Sequence, residues 1–111
     1  MGAKSKSKGR RGELELTAEL HRLGYDTVKA GVCTFYGEEP DVSGLPGVHV
    51  ECKRTERLDL TGAMQQATRD SDRFKDGYPA VFSRKNRQEW YVTMRLEDWT
   101  RMHKAAIKKA E

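Results

Sequence analysis

The sequence predicts one mixed α/β layer domain, and three observations carry that reading. Apolar residues recur at helical spacing in two segments, near the beginning and the middle of the chain, and a third near its end has the charge order of a helix. Between these segments lie short runs that alternate with period two and are bounded by Gly or Pro, the pattern of strands facing a core on one side. Finally, 111 residues of which 36% are apolar make one core and not two, since domains usually run about 100 to 150 residues.

Residues 1–11 carry Lys4, Lys6, Lys8, Arg10 and Arg11 with no acid and no apolar stripe. Such a segment cannot bury surface, so it is expected to be a disordered basic arm, with the folded domain spanning 12–111. Residues 12–23 form the first helix: Leu16, Leu20 and Leu23 make one stripe, and Gly24 is its C-cap. At about 100° per residue, Glu13 lies nearer that stripe than Glu15 and so points more toward the protein body. Residues 25–29 are a short strand, and Asp41 and Val42 begin or lie within a second. Gly44-Leu45-Pro46-Gly47 is a tight turn. Along 48–53, Val48, Val50 and Cys52 face one side, while His49, Glu51 and Lys53 face the other. Arg54 continues the strand and points away from Lys53.

Residues 60–74 form the second helix, with Leu60, Ala63, Met64, Ala67 and Phe74 expected to be buried. Gln66, Asp70 and Arg73 run along one border of that face, and Gln65 and Arg69 point further out. Residues 77–84 and 89–94 read as two strands of an antiparallel pair. Residues 96–110 form the last helix, opened by Glu97 and Asp98 and closed by Lys104, Lys108 and Lys109, as helix-end electrostatics favour.

Charge and hydropathy exclude some roles. Lys plus Arg number 21 against 17 for Asp plus Glu, a net charge of +4, which is too mild to imply nucleic-acid binding by itself. No apolar run approaches the roughly 18 residues that cross a bilayer, so no membrane partner is expected. The basic first residues lack the apolar stretch of a secretory signal, and the expectation is a cytoplasmic protein. Two cysteines, Cys33 and Cys52, make neither a metal spacing nor a disulfide framework.

Chemistry concentrates in the hairpin around Pro46. Asp41 and Glu51 lie on strands joined by a tight turn and can approach closely. Two carboxylates that close repel unless a divalent cation neutralises them, and oxygen ligands of this type suit Mg²⁺ or Mn²⁺. Lys53 shares the face of Glu51 and could stabilise charge developing on a phosphate. Together Asp41, Glu51 and Lys53 supply the parts of a metal-dependent phosphodiesterase. The competing account is a solvated strand face carrying a surface ion pair.

The run Pro40-Asp41-Val42 followed by Glu51-Cys52-Lys53 resembles the PD-(D/E)xK nuclease signature. The surrounding PDVSGLPGVHVECKRTERLDLTGAMQQATRDS, with RRGELELTAELHRLGY before it and FSRKNRQEWYVTMRL after it, is more closely similar to small phage and prophage proteins of Holliday junction resolvase type. That resemblance implies a restriction-endonuclease-like core, a mixed central sheet flanked by helices. It implies Mg²⁺- or Mn²⁺-dependent endonuclease cleavage of DNA, with branched or four-way junctions among the substrates, in a phage or prophage protein working in a bacterial host. Asp41 and Glu51 would hold the metal with the backbone carbonyl of Cys52, and Lys53 would be the catalytic lysine. Glu13 matches the first-helix glutamate of junction resolvases. Gln66 matches a glutamine on the helix after the catalytic strand, with Gln65 adjoining it as the alternative. A homodimer follows from the need for two sites related by two-fold symmetry.

Some positions depart from that pattern. Where archaeal resolvases of similar type have a serine-containing loop, this chain has Thr34 as the nearest hydroxyl, and Glu38 and Glu39 add negative charge. His49 is expected as an exposed strand residue, with a DNA-contacting or metal-supporting role as the alternative. Trp90, Tyr91 and Trp99 are expected in the core or at an oligomer interface. Two other function classes compete with the enzyme. One is a non-catalytic DNA-binding module using the basic arm with Arg84, Lys85 and Arg87; the other is a phage accessory subunit.

Overall fold

The computed structural model describes residues 2–31 and 40–110, with side chains from residue 9 onward. Helix α1 (Gly2–Arg22) leads into β1 (Lys29–Ala30), β2 (Val42–Ser43) and β3 (Val48–Arg54). Helix α2 (Leu60–Phe74) then connects to β4 (Tyr78–Arg84), β5 (Tyr91–Met94) and α3 (Leu96–Ala110). The five strands form one mixed sheet in chain order: β1 to β2 and β2 to β3 are antiparallel, β3 to β4 parallel, and β4 to β5 antiparallel. The parallel step is where α2 crosses over, because a parallel pair cannot be joined by a tight turn. The α/β reading of the sequence therefore holds, with each strand within a few residues of its expected place.

α1 begins at Gly2 and not at Gly12, so the backbone of the basic segment continues the helix in place of the expected disordered arm. Lysine and serine tolerate helix, and extending a helix already anchored at 12–22 avoids the cost of a new nucleus. At its other end, Gly24 takes a positive φ of 102°. Its N–H donates to the His21 carbonyl, and that of Tyr25 donates to the Leu20 carbonyl, a Schellman closure. Leu23 lies within this closure, just past the last helical residue Arg22, and is exposed, unlike Leu16 and Leu20.

The period-two pattern of β3 divides the core. On the α1 side, Leu16, Leu20, Val28, Val42, Val50, Ala80 and Phe82 pack together, with Cys52, Trp90 and Met94 partly buried against them. On the α2 side the apolar cluster is small, comprising Ala63, Ala67 and Val81 with Leu58 and Met64 beside it. Asp59 caps α2, its side chain accepting from the Gly62 N–H at 3.0 Å. Leu60, expected to be buried, is exposed in the first turn, and Ser71 occupies the inner face. Trp90 packs on the core as expected; Tyr91 and Trp99 are exposed, the latter stacked on His103. Among the described residues, no helix is long and apolar enough to cross a membrane.

Candidate functional site

β2 pairs with β3 through Val42 opposite Val50. Stepping one residue along this antiparallel register sets Asp41 opposite Glu51, on the same face of the sheet. The Asp41 Oδ2 accepts the Cys52 N–H at 3.1 Å, which fixes the carboxylate against β3. In a regular strand one residue's N–H and C=O point the same way, so the Cys52 carbonyl also faces the Asp41 side.

Lys53, two residues beyond Glu51, puts its Nζ 3.6 Å from the Glu51 Oε1. The same amine donates to the Gln66 Oε1 at 3.3 Å, tying α2 to β3. Gln65 is exposed and lines the groove between α2 and β5 with Met64, Arg69 and Arg95. Of the two glutamines, Gln66 is the one at the site.

The first helix separates its two glutamates by role, as its stripe predicts. Glu13 is half-buried, and its carboxyl is raised above the ordinary range by burial and by the negative charge of Asp41, against a lowering by Arg10. It therefore belongs to the acidic group, with Arg10 3.7 Å away. Glu15 faces elsewhere and pairs with Arg54 and Arg84. Arg54 also reaches the Asn86 side chain at 2.8 Å, so it is a cross-link of the fold and not an idle strand neighbour. Gly12 allows this approach: a Cβ there would stand 2.6 Å from the Arg54 Cβ.

Burial decides the electrostatics. Glu51 is 3% exposed, which rules out the solvated strand face. Its carboxyl is pushed up to about 8, first by burial, then by the charge of Asp41, with Lys53 opposing; a hydrogen bond with Asp41 and the charge of Asp70 raise it further. Without a cation, the Glu51 carboxyl thus retains its proton near neutral pH. The Cys52 thiol is free and pushed up to about 12 by burial and by Asp41, Glu13, Glu51 and Glu15, so it stays protonated and is no nucleophile.

His49 corrects the expectation of an exposed strand position, being 1% exposed. α2 and the segment after it roof this face: the imidazole stacks on Phe74 at 6.1 Å, and its Nδ1 lies 2.9 Å from both Asp76 oxygens. Asp70, on the site-facing border of α2, and Asp76 were not singled out by sequence reasoning as site residues. The border position of Asp70 beside Gln66 was the available signal, whereas the Asp76-Gly77 pair reads only as turn chemistry. Thr34, Glu38 and Glu39 lie outside the described residues.

Glu13, Asp41, Glu51, Lys53 and Gln66 thus come from α1, the start of β2, β3 and α2 and meet at one end of the sheet. The donor set of carboxylate oxygens beside one ammonium fits a hard divalent cation such as Mg²⁺ or Mn²⁺. No family model, curated protein or solved structure matches this chain.

Proposed function

We propose that this protein is a divalent-metal-dependent endonuclease that hydrolyses phosphodiester bonds in DNA, working in the PD-(D/E)xK manner on a restriction-endonuclease-like core. One observation carries the reading. The buried Glu51 carboxyl faces the half-buried Asp41 and is held beside Lys53, in a setting where two negative charges are costly without a cation. The mixed sheet between helices agrees with the architecture that the resemblance implies.

In this reading Asp41 and Glu51, with the Cys52 carbonyl, hold Mg²⁺ or Mn²⁺. The ion, when bound, supplies Lewis-acid stabilisation of the scissile phosphate. Hydrolysis forms one P–O bond from water and breaks the ester P–O bond, the departing alkoxide taking up a proton. The Lys53 ammonium meets the negative charge that grows on the phosphate, and Gln66 fixes its position. Glu13 adds a carboxylate on the Asp41 side. Branched DNA is the proposed substrate, and a homodimer the proposed assembly, since two cuts across a junction need two sites. Tyr91, Val92, Leu96 and Trp99 form exposed apolar surface at β5 and α3 that such a dimer would cover.

The test is a cleavage panel of four-way junction, flap, nicked duplex, linear duplex and single strand, with and without Mg²⁺ or Mn²⁺. Cleavage should require the metal and should vanish in Asp41→Asn and Glu51→Gln with the fold retained. Binding without cleavage on every substrate would overturn the enzyme reading and leave a DNA-binding module.

A further inference from the structure

One buried polar atom is not used by that chemistry. Among the described residues, the His49 Nε2 is a buried side-chain nitrogen or oxygen with no hydrogen-bond partner. Leaving such an atom unpaired is costly, and native structures seldom do so without a reason. Its surroundings supply one. A ligand atom from each of His49, Glu51 and Asp70 lies within 4.8 Å of the other two. The Nδ1 is engaged by Asp76, so Nε2 is the open position of the ring.

The geometry points to a second cation site in which the His49 Nε2, Glu51 and Asp70 hold a divalent transition metal. Four arguments converge on it. The Asp76 carboxylate accepts a hydrogen bond from the Nδ1–H, which leaves the Nε2 lone pair free, the tautomer of a carboxylate–histidine–metal arrangement. The three groups stand too far apart for Nε2 to be hydrogen-bonded, yet close enough that small side-chain shifts reach the roughly 3 to 4 Å between ligands bound at about 2.1 Å. His49 and Glu51 are held rigidly at i and i+2 on β3, and Asp70 descends from α2 opposite them. An imidazole among carboxylates favours Mn²⁺, Co²⁺ or Zn²⁺ over Mg²⁺ or Ca²⁺, which prefer oxygen alone. Glu51 would then be shared between this site and the Asp41 side.

The site stands on these side chains alone and survives if no DNA is ever cut. The test uses the full chain, freed of metal and titrated with Zn²⁺ and with Mn²⁺ by calorimetry, with the imidazole nitrogens followed by NMR during the Zn²⁺ titration. Zn²⁺ should shift the His49 Nε2 resonance and leave Nδ1 protonated, and excess Mg²⁺ should not reverse it. Asp70→Asn should weaken Zn²⁺ binding at least tenfold, and Asp76→Asn by about 10- to 100-fold as a lost orienting partner. Asp41→Asn should keep it within a few-fold, which separates this site from the one proposed for catalysis. Asp70 is only partly buried, so its variant tests the site even where His49→Gln fails to fold. An unmoved Nε2 at saturating Zn²⁺, binding confined to His21 or His103, or full affinity in Asp70→Asn would each overturn the proposal.

Discussion

Replacing Glu51 with glutamine should flatten the way this protein's stability responds to pH. Burial and the facing charge of Asp41 push the native Glu51 carboxyl up to about 8, against 4.5 for an ordinary glutamate. Through that window the folded chain keeps a proton that the unfolded chain has released. Unfolding then releases a proton, so stability falls as pH rises, by up to roughly 1.4 kcal/mol per pH unit. Over the full window the limit is about 5 kcal/mol. The raised carboxyl of Glu13 contributes with the same sign.

Glutamine has the shape of the protonated acid and never ionises. In chelator, urea unfolding of the wild type should lose several kcal/mol between about pH 5 and pH 8.5, and Glu51→Gln should lose much less. The variant should therefore be the more stable protein at the upper pH. A cation held by Asp41 and Glu51 replaces the proton, so Mg²⁺ or Mn²⁺ should restore the wild type there, by about 2.7 kcal/mol at a hundredfold excess over its dissociation constant. The same addition should do little for Glu51→Gln. Parallel pH profiles for the two proteins in chelator would refute the claim that a buried, destabilised carboxylate lies at the centre of the site.

Two further outcomes follow from the same geometry. Lys53→Ala should fold and bind DNA within a few-fold yet cut roughly a hundredfold or more slowly in single-turnover assays, the scale of a lost electrostatic contact to the transition state; Lys104→Ala on the exposed face of α3 is the matched control, because Arg54 is a cross-link of the fold. Gly12→Ala should lower the urea midpoint, since a Cβ 2.6 Å from the Arg54 Cβ forces an overpacking cost of about 1–3 kcal/mol that outweighs a gain in helix propensity of up to about 1 kcal/mol. A more stable Gly12→Ala would mean that α1 does not approach β3 so closely.

Much of this site was legible because strand and helix periodicity are local. Alternation along 48–53 put Glu51 and Lys53 on one face and Val50 and Cys52 on the other, and the apolar residues of that second face lie against α1. The helical stripe chose Glu13 over Glu15, and the Asp41 charge felt by Glu13 agrees. Periodicity says which side a residue faces but not whether that side is covered. His49 was therefore read as exposed, when Phe74 and Asp76 close over it. Gln65 and Gln66 could not be separated either, because the rotation of α2 about its axis is set by packing against β3 and β4. Arg54 looked like a free neighbour for a related reason: its partners Glu15 and Asn86 lie far away in sequence.

The two faces of the sheet divide the work of the molecule. The α1 face is filled with leucine, valine and phenylalanine, and it carries most of the burial that holds the domain together. On the α2 face the helix presents Ala63 and Ala67 to Val81, a thin apolar contact for a helix spanning Leu60–Phe74. The positions beside that contact, where further apolar residues would stabilise the domain, hold His49, Glu51 and Lys53. A buried ionisable group usually costs stability relative to a well-packed apolar one, and here His49 and Glu51 are both buried on one strand, with the half-buried Lys53 beyond them. The rest of the face is arranged to keep them. Lys75 takes a left-handed turn at φ 52°, with its N–H closing onto Ser71. The next residue is Asp76, which engages the His49 ring. Gly77 then lets the chain pass the Gly47 backbone, where a Cβ would sit 2.3 Å from the Gly47 carbonyl carbon, so that β4 can start beside β3. An apolar α2 face would need no carboxylate beside a buried imidazole, and that pairing of Asp76 with His49 is what the proposed cation site would ask of a domain this small.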